Sequence, residues 1–156
     1  MPAAWPSCIL RKTRRQNAGS KVQPTTAKPP SQITPKQPTV AIVDDDPAVC
    51  GSLKFSLELE GYAVRTYANA AEFLHAADFA SCDCFVIDQR MPGMTGMELI
   101  ANLRDRKVQT PAILLISHPN AAVSARATKA GVPVVEKPLL GNVLVDQIRE
   151  VCRKAG

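Results

Sequence analysis

A chain of 156 residues has room for one domain of ordinary size, with some residues left over. Its formal charge of +5 hints at a polyanion partner, yet residues 1–38 hold seven of the nineteen Lys and Arg and none of the fourteen acids, so the remainder carries −2 and gives no such hint. The longest apolar run, Ala112 to Ile116, falls far short of the ~20 residues a bilayer requires, which excludes a membrane helix and predicts a soluble protein.

The first 38 residues also carry seven of the thirteen prolines among Ser, Thr, Gln and Ala. Such a segment cannot bury enough apolar surface to offset its ordering entropy, so the expectation is a disordered tail over 1–38 and a folded domain over 39–156. A basic, acid-free tail is suited to hold a polyanion or an acidic partner loosely; a solvated extension, or a start codon set too far upstream, explains it as well. It does not resemble a secretory signal, because Cys8 to Leu10 is too short an apolar region and the basic residues follow it. An organelle transit peptide is a minor reading of the same composition.

From Thr39 the chain alternates. Val40 to Val43 reads as a strand, and Pro47 to Glu60 as a helix that opens with proline and stops at Gly61. Tyr62 to Tyr67 alternates as a strand, Ala70 to Ala77 is helical, and Cys84 to Ile87 is strand-like. Thr95 to Arg106 places Met97, Ile100, Ala101 and Arg104 on one helical stripe. Ala112 to Ile116 is a continuous apolar run typical of a strand covered on both faces, and Ala121 to Lys129 a helix closed by Gly131. Val132 to Val135 supplies a fifth strand and Leu139 to Lys154 a last helix. Five β-α units predict an α/β fold: a doubly wound, five-stranded parallel sheet of order 2-1-3-4-5.

Five cysteines, Cys8, Cys50, Cys82, Cys84 and Cys152, form no zinc pattern. Cys82 and Cys84, two apart in a strand, are expected on the same side of the sheet, and the thiols read as small buried hydrophobes in a reducing cytosol.

Open sheets of this kind place ligands at the strand C-termini. There the chain puts Asp44, Asp45 and Asp46 after the first strand, Asp88 after the third, Ser117 after the fourth and Lys137 after the fifth. Taken singly, Asp88 reads as a turn or capping residue and Lys137 as a solvated lysine. As a set at one rim they are a site. Clustered carboxylates stay ionised together only with a cation, and oxygen ligands without His or Cys select Mg²⁺. A carboxylate is a competent nucleophile toward phosphorus once a metal screens the approach of two anions, and Lys137 and Ser117 are suited to phosphoryl oxygens. Asp46, followed by Pro47, is as suited to capping the first helix as to binding metal. Gly93 and Gly96 serve loop geometry.

The stretches IVDDD, VIDQRMPGMTG, ISH and EKP, in that order on those elements, resemble the receiver domain of two-component response regulators over about residues 39 to 154. The resemblance implies a flavodoxin-like receiver fold with Asp88 as phosphoacceptor. It implies Asp45 as the main acidic Mg²⁺ ligand, Asp44 helping directly or through water, and the backbone carbonyl of Arg90 completing the site. Ser117 and Lys137 would contact the phosphoryl group, and the Lys137-Pro138 bond would be cis. The implied donor is a sensor histidine kinase or phosphotransfer protein, and the implied output a conformational change passed to a protein target in the cytoplasm. Because the last helix ends near Lys154 with no helix-turn-helix or catalytic domain after it, the expectation is a stand-alone receiver without direct DNA binding that promotes only its own phosphorylation and dephosphorylation.

Three departures stand out against the family pattern. Val134 occupies the place of an aromatic residue whose rotamer helps report phosphorylation. Ser117 and Lys137 are 20 residues apart, about two fewer than the family pattern leads one to expect. His118 stands where Ala or Gly is usual, either narrowing water's access to an acyl phosphate or turned outward before Pro119. Arg90 pairs with nearby acids or is simply solvated. The rival is a constitutive interaction module that retains the acids but has lost the switching. A phosphatase would want an acid where Arg90 stands, and a nucleotide site would want glycine after the first strand.

Overall fold

A computed structural model describes residues 35–76 and 78–156. Residues 1–34 and 77 lie outside the described residues, and with them Cys8 and most of the expected tail. The elements run β1 (Thr39–Val43), α1 (Pro47–Leu59), β2 (Ala63–Tyr67), α2 (Ala70–His75), a 3₁₀ turn (Phe79–Ser81), β3 (Cys84–Asp88), α3 (Gly96–Asp105), β4 (Ala112–Ile116), α4 (Ala121–Lys129), β5 (Val134–Glu136) and α5 (Val143–Ala155).

The sheet is parallel throughout, in the order β2-β1-β3-β4-β5 expected from the alternation. Period-two geometry sorts each central strand between two cores. Val40 and Ile42, Cys84 and Val86, Ile113 and Leu115 face one side, covered by Leu53 and Leu57 of α1 and by Leu144, Val145 and Ile148 of α5. Ala41 and Val43, Phe85 and Ile87, Leu114 and Ile116 face the other, covered by α2, α3 and α4 through Phe73, Leu99, Leu103 and Ala127. Strands covered on both faces read as unbroken apolar runs, which is why AILLI of β4 is buried at every residue. Phe73 lies 5.0–5.2 Å, centroid to centroid, from the rings of Tyr67, Phe79 and Phe85, tying β2, α2 and the 3₁₀ turn to β3.

Helix starts follow local capping chemistry. The Asp46 carboxylate accepts from the Ala48 N–H, with Pro47 as the first helical residue. Thr95 and Glu98 form a reciprocal capping box at α3, and Asn120 accepts from the N–H groups of Ala122 and Val123 at α4.

Four expectations need correction. β5 begins at Val134, two residues later than expected, because the Val132 N–H is held by the Ala127 carbonyl in the turn closing α4. α5 begins at Val143 rather than Leu139, since Gly141, at φ 63°, interrupts any earlier helix. α2 ends at His75, short of Ala77, and Ala77 is not among the described residues. Cys82 and Cys84 do not share a side: Cys82 closes the 3₁₀ turn ahead of β3, so strand alternation does not apply to it, and the two lie in opposite cores.

Among the described residues no helix is long and apolar enough to cross a membrane.

Candidate functional site

The C-terminal ends of β1, β3 and β5 bring Asp44, Asp88 and Lys137 together. Asp44 and Asp88 are 1% and 3% exposed, the two buried charged residues among those described, while Asp45 beside them is exposed. Buried carboxylates need partners. Lys137 Nζ donates to Asp44 Oδ2 at 2.6 Å and lies 3.0 Å from Asp88 Oδ1. Asp44 Oδ1 accepts from the Asp46 N–H at 2.9 Å, and Asp88 Oδ2 from the Arg90 N–H at 3.1 Å.

Backbone bonds to the sheet hold these side chains in place. The Lys137 N–H is donated to the Ile116 carbonyl and the Gln89 N–H to the Leu115 carbonyl, so the end of β4 fixes the residues that follow β3 and β5. The Lys137-Pro138 peptide bond is cis.

Electrostatics at the rim are divided. Burial pushes the Asp88 carboxyl above its ordinary value; the Lys137 ammonium pulls it back, the Asp44 charge pushes further up, and the Arg90 N–H pulls down, with a net rise. Burial alone would lower Lys137, but its hydrogen bond to Asp44 and its attraction to the Asp88 carboxylate outweigh that and raise it.

One carboxylate oxygen from each of Asp44, Asp45 and Asp88 lies within 4.8 Å of the others, an all-oxygen donor set suited to a hard divalent cation. Asp88 Oδ1 is one of two buried side-chain polar atoms among the described residues without a hydrogen bond, its contact with the Lys137 ammonium at 3.0 Å being an ion pair. It therefore keeps lone pairs free for a cation or an electrophile, so the residues present fit Mg²⁺.

Asp46 is spent on the cap of α1. Ser117 and His118 are exposed and line, with Asp45, Arg90 and Thr95, a cleft of about 550 Å³ beside the acids. The Arg90 guanidinium makes no ion pair among the described residues.

Two residues shape the loop that follows Asp88. Gln89 accepts the Met97 N–H on Oε1 at 3.0 Å and the Gly96 N–H on its carbonyl at 3.1 Å, closing the loop from β3 to α3. Gly96 is required sterically: a Cβ there would meet the Asp88 carbonyl oxygen at 2.5 Å and Leu114 Cδ1 at 2.7 Å. Gly93 has φ 83°, so both glycines serve loop geometry.

The family model of the response regulator receiver domain matches residues 40–149. The chain is 40% identical over 111 residues to the transcriptional regulatory protein FixJ of Rhizobium meliloti (strain 1021), covering 70% of this chain and 54% of FixJ. It is 38% identical over 111 residues to the C4-dicarboxylate transport transcriptional regulatory protein DctR of Rhodobacter capsulatus, covering 69% of this chain and 56% of DctR. The chain thus spans about half the length of these curated relatives. Among solved structures, FixJ-N superposes with a TM-score of 0.68 at 36% identity, over 76% of this chain and 95% of that one. Chemotaxis protein CheY4 of Vibrio cholerae gives 0.68 at 26% identity, over 74% and 98%.

Proposed function

Because this chain belongs to the response regulator receiver domain family, we propose that Asp88 accepts a phosphoryl group from the phosphohistidine of a sensor histidine kinase or phosphotransfer protein. In the proposed step an Asp88 carboxylate oxygen attacks phosphorus and an acyl phosphate bond forms. The P–N bond to the donor imidazole breaks, and its electron pair stays on the imidazole. Lys137, now shared between Asp44 and Asp88, turns to a phosphoryl oxygen, and the Ser117 hydroxyl donates to another. Asp44, Asp45, Asp88 and the Arg90 carbonyl would hold Mg²⁺, which would supply the positive charge that lets two anions meet. The domain acts on no other substrate: it promotes its own phosphorylation and the hydrolysis that ends it.

The observation that carries this reading is Asp88 Oδ1, buried, free of hydrogen bonds and 3.0 Å from an ammonium that is itself shared with a second acid. A side chain kept merely as a cap accepts from the N–H groups of its helix, as Asp46 Oδ1 does from Ala48 and Asn120 Oδ1 from Ala122. The gain of about −1.5 to −2 charges at this rim biases the loops around it, and the signal passes by contact with a separate protein in the cytoplasm rather than by DNA binding of this domain.

The competing reading, an interaction module whose binding ignores phosphate, has one observation in its favour: Val134, in place of an aromatic, is partly buried against the core on the side of α3 and α4 and has no ring to swing. Incubation of the reduced protein with acetyl phosphate, with and without Mg²⁺, followed by intact mass, separates the two. A Mg²⁺-dependent gain of one phosphoryl group, absent from Asp88→Asn, supports the receiver. No gain by folded protein supports the module.

A further inference from the structure

The phosphoryl chemistry leaves a pair of thiols unused at the far end of β3 from Asp88. Cys84 is the first residue of β3 and has no exposed surface, and Cys152 lies near the end of α5, partly exposed. Cys152 Sγ sits 3.8 Å from the carbonyl oxygen of Asp83, the residue joined to Cys84, and packs against the core cluster that contains Cys84. Cys84 Sγ donates to the Phe85 carbonyl, the two thiols lie close enough for each to shift the other's titration, and both are reduced. Cys82, two residues before Cys84, faces the opposite core and cannot join them.

We propose that Cys152 and Cys84 form a peroxide-sensitive thiol pair, in which Cys152 meets the oxidant and Cys84 closes a disulfide between α5 and β3. The division of labour follows from exposure: only Cys152 is open to solvent, and Cys84 can act only on a sulfur already touching it. Their closeness works the same way: Cys84 draws the Cys152 thiol below its ordinary value, and Cys152, with burial, holds the Cys84 thiol well above it. In the first step the Cys152 thiolate sulfur takes an oxygen from hydrogen peroxide; the O–O bond breaks and hydroxide leaves, gaining a proton to become water. In the second, Cys84 sulfur attacks Cys152 sulfur, the S–S bond forms, the S–O bond breaks, and the departing hydroxide takes the Cys84 proton as a second water. Two thiols lose two electrons and two protons, and one peroxide becomes two waters.

The experiment treats the full reduced chain with hydrogen peroxide, alkylates under denaturing conditions with N-ethylmaleimide, and maps peptides. The expected product carries two fewer adducts than the five cysteines allow, with the Cys84 and Cys152 peptides joined at about 2 Da less than their sum. Cys152→Ser, at a partly exposed site, should keep every remaining thiol free. Cys84→Ser should leave Cys152 as a sulfenic acid that dimedone captures. Phosphorylation by acetyl phosphate, read at the other end of β3, reports that each variant is folded. Full alkylation of both cysteines after peroxide, or a cross-link that joins Cys8, Cys50 or Cys82 instead, overturns the proposal.

Discussion

Replacing Gly96 with alanine tests how closely α3 must approach the end of β3. The added Cβ would lie 2.5 Å from the Asp88 carbonyl oxygen and 2.7 Å from Leu114 Cδ1. Neither can give way easily, since one is backbone of the central strand and the other belongs to a side chain with no exposed surface. Relief requires the start of α3 to back away, straining the bonds from the Gly96 and Met97 N–H groups to Gln89. Overpacking of this kind costs about 1–3 kcal/mol, and the upper end applies here because both obstacles are fixed. The better helix propensity of alanine offsets up to about 1 kcal/mol of that. The net expectation is a loss of about 2 kcal/mol in urea unfolding at unchanged m-value, with slower phosphorylation because Asp88 moves with its carbonyl. Gly51 is the internal control. It lies exposed within α1, and a Cβ there would meet nothing within 4 Å, so Gly51→Ala should stabilise by about 0.5–1 kcal/mol. If Gly96→Ala were as stable as Gly51→Ala, the steric argument for this glycine would be wrong.

Lys137→Met removes the counter-ion of two buried acids, and breaking such a pair costs about 3 kcal/mol. With the phosphoryl contact also gone, labelling by acetyl phosphate should slow about 10- to 100-fold, and a rate near wild type would remove Lys137 from the mechanism. Asp88 is raised above the ordinary 3.8, so the folded state holds its proton more tightly than the unfolded chain does. In Mg²⁺-free buffer its contribution to stability therefore falls as pH rises from 3.8 through the folded value. The stability difference between wild type and Asp88→Asn should shrink across that window, and a flat difference would show the carboxyl unperturbed. Lys137 has the same sign at the alkaline end: its folded value is raised too, so its stabilisation is complete below 10.5 and is lost as pH rises through the raised value. Phe73→Ala, at the centre of four packed rings, should lose about 3–5 kcal/mol by calorimetry, whereas Phe55→Ala, 65% exposed, should change stability little.

Much of the fold was legible because its strands are buried on both faces: runs such as AILLI and CFVI have no other reading between helical segments. The boundaries that shifted did so for reasons a periodic pattern cannot carry. VPVV looks like a strand throughout, but its first residue is claimed by a turn bond to Ala127. LLGNVL continues the helical stripe of α5 backward, and Gly141 interrupts it. Alternation gives Cys82 the face of Cys84, but Cys82 belongs to the turn before the strand. At the rim, the topology places Asp44, Asp88 and Lys137 together although Lys137 is 93 residues from Asp44, because parallel strands deliver their ends to one edge. What the spacing could not convey was partnership: that the lysine bridges both acids, that Asp46 is committed to a cap, and that Gln89 closes the loop.

The claim that Asp88 is the phosphoacceptor is tested most directly by locating the modification itself. Protein labelled by acetyl phosphate in Mg²⁺ is reduced with borohydride, which converts an aspartyl phosphate to homoserine, and its peptides are sequenced by mass. The expected result is homoserine at position 88 and at no other aspartate, Asp44 and Asp45 included. Homoserine at either of those acids, or label that resists reduction and maps to Ser117 or His118, would contradict it.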